Sequence, residues 1–412
     1  MEGLGIDQAV CEDILLRHLL NKHTATITEL AKLIGAVPPV AGEISTGLRE
    51  RHLVQVVGAN GLDYRLELTE SGHKIAAQSL TEGRHSAILP VSIEEYRRVV
   101  LAQKASLVVT VEKLMKAFEG LVVEPGFLDH LGPALIDDGA MFLYGPAGTG
   151  KTEIVKRLGS LTSDLVHIPR YLEVGGQLIS VFNPATHIKA SAQPDRLDQR
   201  WVLCQRPLVI IGGELDRQML DLHFDPISGL SAAPIQVRAA NGILVLDDFG
   251  RHSVRPEQIL NRWIAPLGNG IDHLRIPNGQ MVEVPFELKL VISTNLDPKS
   301  LGDEAFLRRL RNKVHVGRIS DDTFKQILIN AANSTEITVT QSGLDSLTEQ
   351  TRAHHGDLRS YVAVEFCRLA KTMCAYDGVD CRLDAALVGR VARLFFVSEQ
   401  AETMVDRTVQ AL

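Results

Sequence analysis

The stretch AMFLYGPAGTGKT, residues 140–152, decides how this 412-residue chain is read. Ala140 to Tyr144 is a short apolar strand. It runs into Gly145, Pro146, Ala147, Gly148, Thr149, Gly150, Lys151 and Thr152, and a helix is expected from Glu153. This is G-x-x-x-x-G-K-[ST] in its required setting of strand, loop and helix. Glycines let the backbone curl until its N–H groups face a phosphate chain, and the helix N-terminus adds the positive end of its dipole. Lys151 then neutralises charge on β- and γ-phosphates, and the Thr152 hydroxyl ligates Mg²⁺.

Further along, GILVLDD (242–248) is a buried strand that ends in two carboxylates. Asp247 is expected to hold Mg²⁺ through water, and Asp248 to polarise the attacking water. A third strand, Leu288–Ser293, ends in Thr294 and Asn295, whose amide can hold that water or touch a γ-phosphate. The apolar run Leu208–Ile211 is followed by Glu214, which is either an auxiliary acid or an ordinary strand-end residue. From Pro125 onward short buried strands alternate with helices, the pattern of an α/β fold with a parallel sheet covered on both faces. Beyond about Ser320 the strands are expected to stop, leaving helices over Asp321–Ala332, Leu344–His354, Ser360–Tyr376 and Asp384–Phe396.

The N-terminal stretch 1–80 reads as a separate module. Helices are expected over Gln8–Leu20, over Thr26–Ile34 with Thr26 and Glu29 as a capping box, and over Ala41–Arg51. A hairpin follows, Leu53–Val57 and Tyr64–Leu68 around the turn Gly58–Gly61, and then a helix capped by Thr69. Three helices and a hairpin is the order of a winged helix. Residues 1–90 hold eight basic and eleven acidic side chains, so few phosphate contacts are on offer. Docking to a protein is the favoured role for the module, and DNA binding stays open. Ser92–Lys116 is expected as one long helix inside a connector. The division expected is therefore winged helix 1–80, helical connector 81–124, α/β core 125–320 and helical lid 321–412.

Composition sets the outer limits. Hydrophobic residues make up 45% and charged residues 23%, with a net charge of −7, which suits a globular chain and not a chain-wide nucleic-acid surface. Aromatics at 5% are too few for a base-stacking platform. No apolar run approaches the ~20 residues that span a bilayer. Met1–Val10 lacks the basic head of a secretory signal, so a cytoplasmic protein without a membrane partner is expected. Five cysteines without a C-x-x-C pair argue against a disulfide framework or a zinc site.

In the order of its motifs the chain resembles the AAA+ ATPase superfamily over roughly residues 125–400. The loop Gly145–Thr152 resembles Walker A, Leu244–Asp248 Walker B and Ser293–Asn295 sensor 1. DEAFLRRL (303–310) resembles the arginine-finger segment, and GDLR (356–359) resembles sensor 2 of the lid. His273–Pro285, a hairpin around Pro277, Asn278 and Gly279, resembles the pre-sensor-1 hairpin of the MoxR-like branches. The resemblance implies ATP and Mg²⁺ as cofactors and a ring, most often a hexamer. It also implies Arg309, or its neighbour Arg308, reaching the γ-phosphate of the next subunit, and Arg359 reaching that of its own. The implied work is chaperone-like remodelling of a protein client engaged through the winged helix or connector; a DNA-acting regulator and a slow nucleotide-switched scaffold are the other readings. Asp248 stands where those branches usually carry Glu, one methylene longer.

Overall fold

The computed structural model describes residues 4–61, 63–81, 88–104, 109–162, 164–194, 198–276, 278–298 and 310–396. At the N-terminus α1 (Gln8–Lys22) is capped by Asp7, and β1 (Thr24–Thr26) leads into α2 (Ile27–Ile34). Thr26 and Glu29 cap α2 reciprocally. The Glu29 N–H donates to Thr26 Oγ1 at 3.2 Å, and the Thr26 N–H to Glu29 Oε2 at 2.8 Å. Then come α3 (Pro38–Glu50), β2 (Val54–Asn60), β3 (Asp63–Leu68) and α4 (Glu70–Thr81). The three strands pair antiparallel in the order β1-β3-β2. The expected turn at 58–61 lies further out, because pairing continues to Asn60 opposite Asp63 after a bulge between Val56 and Gly58.

The chain continues through β4 (Val91–Ser92), α5 (Ile93–Ala102), α6 (Val111–Ala117), α7 (Phe127–Ile136), β5 (Met141–Tyr144) and α8 (Lys151–Leu158). Six short strands follow: β6 (Leu165–Pro169), β7 (Tyr171–Val174), β8 (Gln177–Ser180), β9 (Trp201–Gln205), β10 (Leu208–Ile211) and β11 (His223–Asp225). After β12 (Leu230–Ala232) and the single turn α9 (Ile235–Arg238) come β13 (Ile243–Leu246) and α10 (Pro256–Asn269). β14 (Ile271–Arg275) and β15 (Met281–Pro285) make a hairpin before β16 (Lys289–Thr294) and β17 (Asn312–His315).

Five of these strands form one all-parallel sheet in the order β10-β13-β16-β5-β17. The glycine loop leaves the end of β5, one strand in from the β17 edge. Alternation along each strand splits the core in two. Met141, Leu143, Ile243, Val245 and Val291 pack with Ile154, Val155 and Leu158 of α8. Phe142, Leu244, Leu246, Leu290 and Ile292 pack on the other face with Ile259, Leu260 and Trp263 of α10. Both faces are buried, which is why these strands read as continuous apolar runs.

The helical connector expected over 81–124 does not carry one continuous helix from Ser92 to Lys116. Its long helix is two helices, because the segment is divided between two cores. Ser92 caps α5, and Gln103 then leaves the helix and spends its amide on the His167 carbonyl and on Asn241 Oδ1, both at 3.2 Å. Thr110 starts α6 as a fresh cap. Tyr96 and Val100 of α5 are buried with Ile168 and Leu172, whereas Leu114 and Ala117 of α6 are buried with Leu131 and Val155. β4 itself pairs in parallel with β7, closing a second sheet of order β11-β12-β8-β7-β4. This sheet is what the long span between β6 and β13 builds. Leu178 of β8 is buried in the apolar cluster of the N-terminal module, and Glu173 of β7 accepts from the Asp7 N–H at 3.3 Å.

The C-terminal part holds α11 (Asp321–Ser334), β18 (Thr338–Val339), α12 (Gln341–His355), α13 (Ser360–Asp377), β19 (Arg382–Leu383) and α14 (Ala385–Phe395). It is not wholly helical as expected. β18 and β19 pair in parallel, a two-residue ladder that ties the link after α11 to the link before α14. No described helix is long and apolar enough to cross a membrane.

Candidate functional site

The glycine loop is shaped by contacts that admit no side chain. A Cβ on Gly145 would lie 2.0 Å from the Val316 carbonyl oxygen, where β17 leaves the sheet. Gly150, at φ +92°, turns the chain into α8 as its N-cap residue, with no side chain capping the helix. The helix N–H groups are thereby left facing the loop. Lys151 is buried and donates to the carbonyls of Gly145 at 2.9 Å and Pro146 at 2.7 Å. Burial holds its pKa below the usual lysine range, against the opposing pull of Asp247 and Asp248.

From α8 a chain of polar contacts crosses to the ends of β13 and β16. Thr152 Oγ1 donates to Asp247 Oδ2 at 2.8 Å. The Asp248 N–H donates to Asp247 Oδ1 at 3.0 Å, and Asn295 Nδ2 to Asp248 Oδ1 at 3.2 Å. Asp247 is 9% exposed, whereas Asp248 stands open to the cleft, so adjacent carboxylates meet different environments. Asp248 adopts φ +51°, a left-handed conformation that costs a non-glycine residue of order 1 kcal/mol. The following residue holds it there: the Phe249 N–H donates to the Ser293 carbonyl at 2.8 Å and its carbonyl accepts from Thr294 Oγ1 at 2.6 Å. The His252 ring, 2.9 Å from the Asp247 carbonyl, closes the turn.

These groups open into one cleft of about 1530 Å³ between the five-stranded sheet and the C-terminal helices. Ala147 to Thr152, Asp247, Asp248 and Asn295 all line it. Thr152 and Asp247 are hard oxygen donors that could hold a divalent cation, with nucleotide phosphates and water completing so small a set. Among the described residues no group of three or more His, Cys, Asp or Glu stands ready as a metal centre by itself.

Arg359 and Glu214 are not brought into the cleft. Arg359 is turned away: its Nε donates to Asp357 Oδ1 at 3.0 Å, and Asp357 also faces Arg318 at 3.5 Å. Arg308 and Arg309 lie outside the described residues. Glu214 is exposed beyond β10 and does not line the cleft, so the structure favours its reading as an ordinary strand-end residue.

The sequence reading missed two parts of the wall. Ile327, Asn330, Ala331 and Ser334 of α11 line the cleft far from any motif. Their spacing of three, four and seven marked one helix face, but nothing distinguished a face on a cleft from a face on a core. Ser360 and Tyr361, at the head of α13, lie directly on the glycine loop.

Neither a family model nor a curated protein matches the chain. Among solved structures, Thermotoga maritima RuvB, a Holliday junction branch migration motor, is similar at 14% identity and TM-score 0.37, over 71% of this chain and 72% of that one. The FIGL-1 AAA domain is similar at 15% identity and TM-score 0.37, over 74% and 86%. The same domain in complex with ADP is similar at 16% identity and TM-score 0.36, over 74% and 89%. Superpositions this loose carry no argument about what this chain does.

Proposed function

We propose that the chain is a Mg²⁺-dependent ATPase of the AAA+ type that works as a ring on a protein client. The observation that carries this reading is the unbroken relay Thr152–Asp247–Asp248–Asn295 beside Lys151 in one cleft. Lys151 would exchange its two loop carbonyls for the β- and γ-phosphates. Thr152 and Asp247 would hold the Mg²⁺, whose charge offsets that of the phosphate oxygens. Asp248 would take the proton of the attacking water, with Asn295 fixing the carboxylate's orientation. The Asn295 contact supports this role for Asp248 despite its shorter side chain.

Arg309, with Arg308 as the neighbouring candidate, is proposed to act across a subunit joint. The N-terminal module, 1–80, is proposed to be a winged helix that engages the client, and its acidic balance favours protein over DNA. The hairpin β14–β15 directly before β16 is compatible with the MoxR-like branches.

The test is ATP binding and phosphate release with and without Mg²⁺. Lys151→Ala is expected to lose nucleotide binding, and Asp248→Asn to bind ATP and lose turnover. Wild-type turnover in Asp248→Asn would remove Asp248 from the mechanism. A client trapped by Asp248→Asn in ATP, set against salt-dependent retention on DNA, separates the protein client from the DNA reading.

A further inference from the structure

Two hydrogen bonds from the lid to the glycine loop meet at one carbonyl. Ser360 Oγ donates to the Gly148 carbonyl at 3.1 Å, and the Tyr361 N–H donates to the same oxygen at 3.3 Å. The Tyr361 ring lies on Gly148 so closely that a Cβ there would fall 2.3 Å from its Cδ1. That ring is itself held. Its hydroxyl is 3.2 Å from His355 Nε2, and it stacks on Phe395 with centroids 6.3 Å apart. Ser360 Oγ would also lie 3.4 Å from a Cβ on Gly150, which places the hydroxyl over the loop. Arg359, one residue earlier, is committed to Asp357.

We propose that Ser360 is a positioning residue for the phosphate site, and that the lid reads nucleotide occupancy through the Gly148 carbonyl. The inference rests on the ATPase reading above. Its physical basis is the peptide plane. The Gly148–Thr149 bond is trans, as all described peptide bonds are, so its C=O and N–H point in opposite directions. Two donors from the lid fix the carbonyl, and the Thr149 N–H is thereby fixed facing away from the lid. This N–H belongs to the set of loop donors that must be aimed before a triphosphate arrives, and donors aimed in advance need no reorganisation on binding. The coupling runs both ways. A phosphate that shifts the Thr149 amide shifts the Gly148 carbonyl with it, and α13 follows through Ser360 and Tyr361.

The test compares full-length wild type, Ser360→Ala and Ser360→Thr for ATP affinity and for amide hydrogen exchange in 145–152 and 360–366. In wild type, ATP is expected to slow exchange in both segments together. Ser360→Ala should bind ATP ~3–10-fold more weakly, the loss of one modest hydrogen bond, and should still protect the loop but no longer the head of α13. Ser360→Thr, which keeps the hydroxyl, should restore the joint protection. Joint protection at wild-type affinity in Ser360→Ala would overturn the proposal and leave the ATPase reading intact. Failure of wild type itself to bind ATP would overturn both.

Discussion

Replacing Thr152 with valine removes a hydroxyl and keeps the shape of the side chain. In the structure that hydroxyl donates to Asp247 Oδ2 at 2.8 Å, and Asp247 is 9% exposed, so its carboxylate has little water to fall back on. A hydrogen bond to a charged group is worth ~1.5–3 kcal/mol when buried. Thr152 itself is open to the cleft, which brings the expected loss just below that range, to about 1–1.5 kcal/mol. For a unit of the core's size this is a fall in melting temperature of about 2–6 °C without ligand. The same hydroxyl is proposed to hold Mg²⁺, so the concentration needed for half-maximal ATPase should rise at least ~10-fold, the cost of disturbing even an outer partner of a metal site. Thr152→Ser, which keeps the hydroxyl, should return both quantities close to wild type. Differential scanning fluorimetry and a Mg²⁺ titration of phosphate release give the two readouts. A valine variant with wild-type melting and wild-type Mg²⁺ dependence would show that the bond to Asp247 neither stabilises the fold nor marks the cation site.

Three further outcomes are expected. Arg309→Ala and Lys151→Ala should each be inactive alone, yet mixed rings should regain activity at joints that pair an intact lysine with an intact arginine; demonstrably mixed rings without recovery would remove the finger in trans. The Cys11 thiol, buried inside the first module and pushed up to about 12 chiefly by that burial, should resist iodoacetamide at pH 8 in the native protein, and rapid labelling there would show that the module opens. Deleting residues 1–80 removes no group that lines the cleft, so basal ATPase should persist, but Leu178 becomes exposed. The truncated chain should therefore aggregate, and Leu178→Gln should restore its solubility; a soluble, assembled but inactive truncation would contradict this.

What the sequence made legible is what local geometry enforces. The glycine loop, the strand ending in Asp247 and Asp248, and the strand ending in Asn295 each carry their meaning within a short run of neighbours, and the parallel sheet brings them together without further instruction. The capping box of Thr26 and Glu29 is local in the same sense. The second sheet was not legible, because its strands are two to four residues long and its ladders join distant segments, Val91 with Leu172 and Ser231 with Ile179. The partner that the Arg359 side chain takes was not legible for a related reason. The pattern around it is that of a phosphate-facing arginine, but Asp357, two residues away, supplies a nearer partner. Ser360 gave no signal, since its partner is a main-chain carbonyl more than two hundred residues earlier.

The second sheet also fixes how force can travel. Its β4 belongs to the chain before the glycine loop, and its β7, β8, β11 and β12 belong to the chain after it. The N-terminal module therefore grips the core at two separate points of the covalent chain, and an attachment at two points resists torsion in a way that a single flexible leash cannot. The coupling proposed above lies elsewhere, at the Gly148 contact between the loop and the head of α13. A load carried by the N-terminal module would turn with the strand-bearing body as one lever, and the stroke delivered to it would be set by how far the lid rotates against that body.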